Sequence, residues 1–358
     1  MPKDQIDAPS IPAGSLSNLV ERLIAASNKL GNSRIAWIHR SWCLPVIHDA
    51  LVDMRECTDD PLPRIQSALE HAIEYLANVS NELTINEYLK AEPAKSESGN
   101  NVQIDLHYGQ LWERFSNSRA WIHSGERLTT RLKRNGFSKN IFEGKKVLDA
   151  GCGFGRLAFA MDHLGAERVI GLDVSKKAIE TAIRFKTESS LDSIFFINGS
   201  IHDLPFDDES FDITFSMGVI HHMPDWETGL CELIRVTRKN GDIFLMNLNN
   251  DPGGLYWDVI DIMRIMMNGV EHKLAQDSLS ILGLSGDQII HILDHVLVPV
   301  NHRFKSETIE KALEKNAVTK YKRFNRGCDN DSLEQIYQNM PYAKTKYGIG
   351  EHIYWAKK

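Results

Sequence analysis

Residues 147–158 read VLDAGCGFGRLA: an apolar run closed by Asp149, then glycines at 151, 153 and 155, then a segment with helical spacing. Glycine takes positive φ without strain and lets a ligand lie against the main chain where a Cβ would collide, so the three together predict a loop built for close approach. The apolar run predicts a strand and RLAFAM the helix that follows. A dinucleotide fingerprint, GxGxxG, would place its third glycine at 156, where Arg156 stands. That weakens a nicotinamide reading.

Working outward, VIGLDVS ends a second apolar run at Asp173, 24 residues after Asp149. An acid at the tip of the second strand is placed to accept two hydrogen bonds from vicinal ribose hydroxyls. In INGSIHDLPFDDESFD a third strand ends and a loop follows that is able to cup an adenine ring. Ser200 and the backbone of Ile201 are its natural edge contacts, with Asp203 a further candidate. FDITFSM and GDIFLMNL supply two more strands, with helical GRLAFAMDHLG and KKAIETAIRFKTE between the earlier ones. Strands alternating with helices predict a doubly wound α/β domain on a mostly parallel sheet. VTKYKRFN and EHIYWAKK are expected as two further strands at its edge, separated by a helical SLEQIYQNM.

Upstream, LSNLVERLIAASNKL and PRIQSALEHAIEYLANVSNEL space apolar residues three and four apart and predict amphipathic helices. Trp37, His39 and Trp42 between them read as core rather than as a ligand patch. Polar, turn-rich AEPAKSESGNNVQ marks a boundary near residue 100, and residues 251–305 are mostly helical in period.

The 358 residues are 42% hydrophobic and 25% charged, enough for a sizeable core without staples. A net charge of −7 argues against a broad grip on nucleic acid, with Arg131 to Lys146 read as a solvated face. Five scattered cysteines without a CxxC pair predict neither a disulfide framework nor a zinc ribbon, and a reducing cytoplasm fits them. The start, MPKDQIDAPSIPAG, lacks the charged-then-apolar pattern of a targeting segment, and a soluble, cytoplasmic protein is expected.

Taken together, DAGCGFG, VIGLDVS and the LPF…FD and HH segments around the fourth strand resemble the class I S-adenosylmethionine-dependent methyltransferases, in particular the ubiquinone-biosynthesis-like small-molecule group. The resemblance covers roughly residues 145–248. It implies a seven-stranded, mostly parallel Rossmann-like sheet and S-adenosylmethionine as cofactor. Gly151 would offer its carbonyl to the methionine ammonium, Asp149 would support the loop with Gly153 and Gly155, and Asp173 with Val174 would hold the ribose. Ser200 and Ile201 would read the adenine, and Met217 would close the set at the fourth strand. Many relatives carry an aspartate where Ser200 stands.

On that reading residues 101–358 form the methyltransferase domain, 251–305 an acceptor-pocket insertion, and 1–100 a helical domain for oligomerisation, as a homodimer, or for use as a lid. Tyr108 is expected to contact the cofactor from a preceding helix. His221 and His222 are the candidate bases, and Tyr256, Trp257, His302 and Arg303 the candidate walls of the acceptor pocket. Adjacent histidines without HExxH-like spacing do not predict a metal site. No NPPY or DPPY segment follows the fourth strand, which argues for a small-molecule acceptor methylated on oxygen, nitrogen, sulfur or carbon. The alternatives are methylation of RNA or protein, docked through KNAVTKYKRFNR, and a non-catalytic cofactor-binding scaffold.

Overall fold

Alternating apolar strands and amphipathic helices downstream of residue 145 assemble into one seven-stranded mixed sheet. The computed structural model describes Gly14 and residues 16–85, 118–138 and 140–358. The strands are β1 (Lys146–Ala150), β2 (Arg168–Asp173), β3 (Ile194–Asn198), β4 (Phe211–Met217), β5 (Thr237–Leu248), β6 (Lys320–Arg323) and β7 (His352–Lys357). Their order is β3-β2-β1-β4-β5-β7-β6, with the first five parallel and β7 antiparallel to both neighbours. The order reverses direction at β1, so the crevice beyond the carboxyl ends of β1 and β4 is the topological switch point where such sheets bind ligands.

Burial on both faces explains why the central strands read as nearly continuous apolar runs. One face packs Leu148, Leu172, Ile243 and Leu245 under the helices Trp226–Val236 and Ser306–Lys315. The other packs Val147, Val169, Phe215 and Phe244 under Ser118–Arg134, Arg156–His163 and Lys176–Ser189. The two late strands expected at the sheet edge are present, and β7 is anchored where Asp242 on β5 accepts from Trp355 Nε1 at 2.9 Å and Lys357 Nζ at 3.0 Å. No helix among the described residues is long and apolar enough to cross a membrane.

Internal contacts divide the chain into two compact units. Of the described residues, those within 100–252, 299–339 and 349–358 form a sheet unit and those within 1–99, 253–298 and 340–348 a helical unit. Segment 253–298, read from the sequence as part of an insertion in the sheet domain, therefore makes its contacts with the N-terminal helices. Those helices are Ser17–Leu30, Arg34–Glu56 and Leu62–Ile85. The middle one escapes sequence periodicity because Pro45 lies inside it. It persists because packing, rather than propensity, stabilises it: Leu44 and Ile47 are fully buried, as is Met54 a little further on.

Donors aimed at carbonyls tie this unit together. Buried Arg40 donates Nη2 to the carbonyls of Ser27 at 2.8 Å and Gly31 at 2.6 Å, closing the end of the first helix. Trp42 Nε1 reaches the Ser278 carbonyl at 3.0 Å, and the almost fully buried Lys346 reaches that of Cys57 at 2.6 Å. Trp37 is buried, and the His39 ring meets the Tyr75 hydroxyl at 2.6 Å.

Candidate cofactor and acceptor site

Main chain builds the first half of the site. Gly151 N and Cys152 N donate to the Leu172 carbonyl at 2.7 and 3.0 Å, pulling the loop after β1 onto the end of β2. Gly151, Gly153 and Gly155 sit at φ +81°, +55° and +89°, the left-handed region where a side chain is strained. A Cβ on Gly151 would collide with the Val219 side chain, and one on Gly155 would come within 2.6 Å of the Phe196 ring.

Two acids lie under and beside this loop. Asp173 Oδ2 accepts from Gly153 N and its Oδ1 from Ser175 N, both at 2.8 Å. A carboxylate offers about four lone-pair sites, the acceptor character that a vicinal diol calls for. Asp149 is 1% exposed, and its Oδ2 has no hydrogen-bond partner among the described residues. Burial, reinforced by the Asp173 charge and opposed by Arg156, pushes its carboxyl up to about 7. A buried acceptor left unsatisfied beneath a glycine cradle is costly unless a ligand brings a donor. S-Adenosylmethionine fits: it carries an ammonium for the cradle and a ribose diol for Asp173.

Beyond β3, Ser200 Oγ accepts from His202 N at 3.2 Å and lies 3.3 Å from His202 Nδ1, which shapes the turn expected to face adenine. The Ile201 side chain is buried in the core beside Leu204, so its main chain is what it presents. The Val174 carbonyl accepts from Asn198 Nδ2 at 2.9 Å, fixing the chain beyond Asp173. Tyr108 lies outside the described residues.

Side chains build the second half, at the ends of β4 and β5. After Met217 the chain forms a 3-10 turn, Ile220–His222, in which both histidines are buried with ring centroids 4.0 Å apart. His222 Nδ1 lies 2.9 Å from the Val300 carbonyl. A carbonyl only accepts, so Nδ1 carries the proton and Nε2 the lone pair of the neutral ring. The segment from 300 answers back: His302 N donates to the His221 carbonyl at 2.8 Å, and His302 Nε2 lies 3.0 Å from the Met223 carbonyl. Between them, Asn301 Oδ1 accepts from the buried Asn249 Nδ2 at 2.7 Å, linking this segment to the end of β5. Neither asparagine is marked by the sequence, since 52 residues separate them and no spacing rule relates them.

The four expected acceptor residues divide between the two units. His302 and Arg303 belong to the sheet unit. Tyr256 and Trp257 belong to the helical unit, where Arg55 stands 5.9 Å from the Tyr256 ring centre and buried Trp257 packs edge-on to His295. Of the run at 131–146, Arg131 is buried and Arg134 pairs with Asp329 and Glu334, so these two cations serve internal contacts rather than a solvated face.

Residues 148–245 match the methyltransferase domain family. Methyltransferase GfsG of Streptomyces halstedii is 31% identical over 145 residues, which cover 40% of this chain and 51% of that protein. The 27-O-demethylrifamycin SV methyltransferase of Amycolatopsis mediterranei is 30% identical over 176 residues, covering 47% of this chain and 64% of that protein. The chain spans about half the length of the curated relatives it matches. Among solved structures, magnesium protoporphyrin IX methyltransferase from Synechocystis PCC 6803 with bound S-adenosylmethionine aligns at a TM-score of 0.43 and 13% identity, over 74% of this chain and 100% of that one. The glycine loop, the acid ending β2, the strand order and the family match agree, and residues 148–245 of the chain are a methyltransferase domain of the class I fold.

Proposed function

We propose that the chain transfers the methyl group of S-adenosylmethionine to an oxygen, nitrogen, sulfur or carbon atom of a small molecule. The observation that carries this is the Asp173 carboxylate, oriented by Gly153 N and Ser175 N at the edge of a left-handed glycine loop. When bound, the sulfonium supplies an activated methyl carbon, so the protein's work is to bind, orient and, where the acceptor needs it, remove a proton. The loop and Asp173 hold one reactant in place, and fixing two reactants in attack geometry lowers a barrier by about 7–11 kcal/mol. His222, with its lone pair on Nε2, is the base we assign; a placed base adds ~10²–10⁴-fold. His221 lies against it and orients it.

The acceptor is bound, in this reading, by groups including His302 and Arg303 of the sheet unit. Residues 1–100 serve self-association as a homodimer in this reading, two-fold pairs being the commonest soluble assemblies; light scattering of the full chain at micromolar concentration tests it, and a monomer overturns it. Activity is tested by incubating the protein with methyl-labelled cofactor and a metabolite extract. Label in a small-molecule product together with S-adenosylhomocysteine is expected. Label appearing only in RNA or protein, or no S-adenosylhomocysteine at all, overturns the reading.

A further inference from the structure

The segment 300–302 runs beside the 3-10 turn Ile220–His222, and its middle residue carries a donor that the fold leaves over. Val300 and His302, on either side of Asn301, are the residues that hold the two histidines: the Val300 carbonyl lies 2.9 Å from His222 Nδ1, and His302 N donates to the His221 carbonyl at 2.8 Å. Asn301 itself turns to the end of β5, where its Oδ1 accepts from Nδ2 of buried Asn249 at 2.7 Å. That bond commits the amide oxygen inward, and the amide nitrogen remains. Asn301 Nδ2 is buried and has no hydrogen-bond partner among the described residues.

The amide is held before any ligand arrives. The Asn249 carbonyl accepts from Phe304 N at 2.9 Å, and the Phe304 carbonyl accepts from Nε2 of buried His352 at 2.7 Å. A second orphan lies at the same strand end. The pairing of β5 with β7 is bulged between Leu245 and Leu248, and within the bulge Asn247 takes φ +53°, the left-handed region that asparagine tolerates better than most side chains. A bulge breaks the alternation of a strand and re-aims a side chain. Asn247 Oδ1 is buried and also lacks a hydrogen-bond partner among the described residues. One buried donor and one buried acceptor therefore stand where β5 ends, each costly unless a ligand completes it.

We propose that Asn301 binds the methyl acceptor at the atom that receives the methyl, and that this atom is a hydroxyl oxygen. The inference rests on the function proposed above and narrows its substrate class. The argument is one of lone pairs. A hydroxyl oxygen has two: one accepts from Asn301 Nδ2, the other attacks the methyl carbon, and the hydroxyl proton passes to His222 Nε2. An oxygen–methyl bond forms as the sulfur–methyl bond breaks, and the electron pair of the broken bond stays on sulfur. A neutral amine has a single lone pair, so a bond from Asn301 would occupy the pair that must attack. A thiol accepts weakly, and a carboxylate has no proton for His222. As the proton leaves, negative charge gathers on the oxygen and the bond from Asn301 strengthens, which favours the transition state over the bound substrate. Asn247 Oδ1 calls for a donor on the same molecule, so the substrate is a hydroxyl compound with a further O–H or N–H.

Full-length protein, methyl-labelled S-adenosylmethionine and a metabolite extract test it. The carbon NMR shift of the labelled methyl in the product is expected to be that of a methyl on oxygen; a methyl on nitrogen, sulfur or carbon overturns the proposal. Asn301→Ala is expected to lower turnover by ~10²–10³-fold, the loss that follows removal of one donor to a developing oxyanion, with calorimetric affinity for S-adenosylhomocysteine unchanged. Asn301→Asp separates binding from packing. It keeps an oxygen to accept from Asn249 but puts an acceptor where the donor was, so turnover should fall as far as in the alanine variant. Wild-type turnover in either variant overturns the proposal, and so does a loss of cofactor affinity that accounts for the lost turnover. No labelled product from the wild-type protein overturns the proposed function, and this inference with it.

Discussion

The carboxyl ends of β1 and β2 and those of β4 and β5 lie on one edge of one sheet, yet they are built from different material. At β1 and β2 the polar groups are main-chain N–H donors with one carboxylate, Asp173, holding two of them at 2.8 Å. At β4 and β5 they are side chains and carbonyls in a two-way latch, His222 to Val300 and His302 to Met223, with Asn249 reaching Asn301. A backbone cradle recognises what every user of the cofactor shares. A latch of side chains between two distant loops can change partner by partner, and in the function proposed above it is the half that serves the acceptor.

The largest effect that separates the two halves is expected from Asp173→Ala. It removes two charge-assisted acceptors for the ribose and also releases Gly153 N, so S-adenosylhomocysteine affinity should fall by ~10² or more, read by calorimetry. Near wild-type affinity would break the comparison by removing the acid from the cofactor half. His222→Ala should then act on the other half alone, lowering turnover by ~10²–10⁴-fold with cofactor affinity unchanged. His302→Ala serves as its control: an equal loss of turnover would show that the latch, rather than a base, sets the rate.

A third effect falls on stability, as a dependence on pH, and leaves the comparison of binding and turnover untouched. Asp149 has its carboxyl raised by burial, so between pH 4 and about 7 the folded state holds a proton that the unfolded state has released. Stability therefore falls as pH rises through that window, by up to about 1.4 kcal/mol per pH unit, and levels off above it. Asp149→Asn should flatten the decline, measured as urea midpoints at pH 5 and 7.5. An unchanged slope would place the titration elsewhere, in Glu351 or Asp49, whose carboxyls burial also raises.

What was legible in the sequence follows the same division. The strands of the sheet and the glycine loop were readable because local period and glycine chemistry act over a few residues, and VLDAGCGFGRLA folds as a strand, a left-handed loop and a helix. Asp173 was readable as the end of β2 because the apolar run stops there. The pairing of Arg131 with Asp331 was not, because the residues lie 200 apart and ordinary composition surrounds each. Nor was the membership of segment 253–298, since helical period shows that a face is apolar without naming what covers it. Pro45 hid a long helix that tertiary burial maintains.

The described residues pass between the two units five times, first somewhere between residues 85 and 118 and then at 252, 298, 339 and 348. Were the helical unit to melt while the sheet stayed folded, segments 253–298 and 340–348 would become closed loops pinned at both ends. A pinned loop gains less disorder than a free chain, so partial melting returns less entropy than its length suggests. This couples the two units thermodynamically and favours a single calorimetric transition. It also means that cutting the polypeptide near residue 100 would strand two stretches of apolar helix without their partners, which makes point substitution the sounder way to assign a task to either unit.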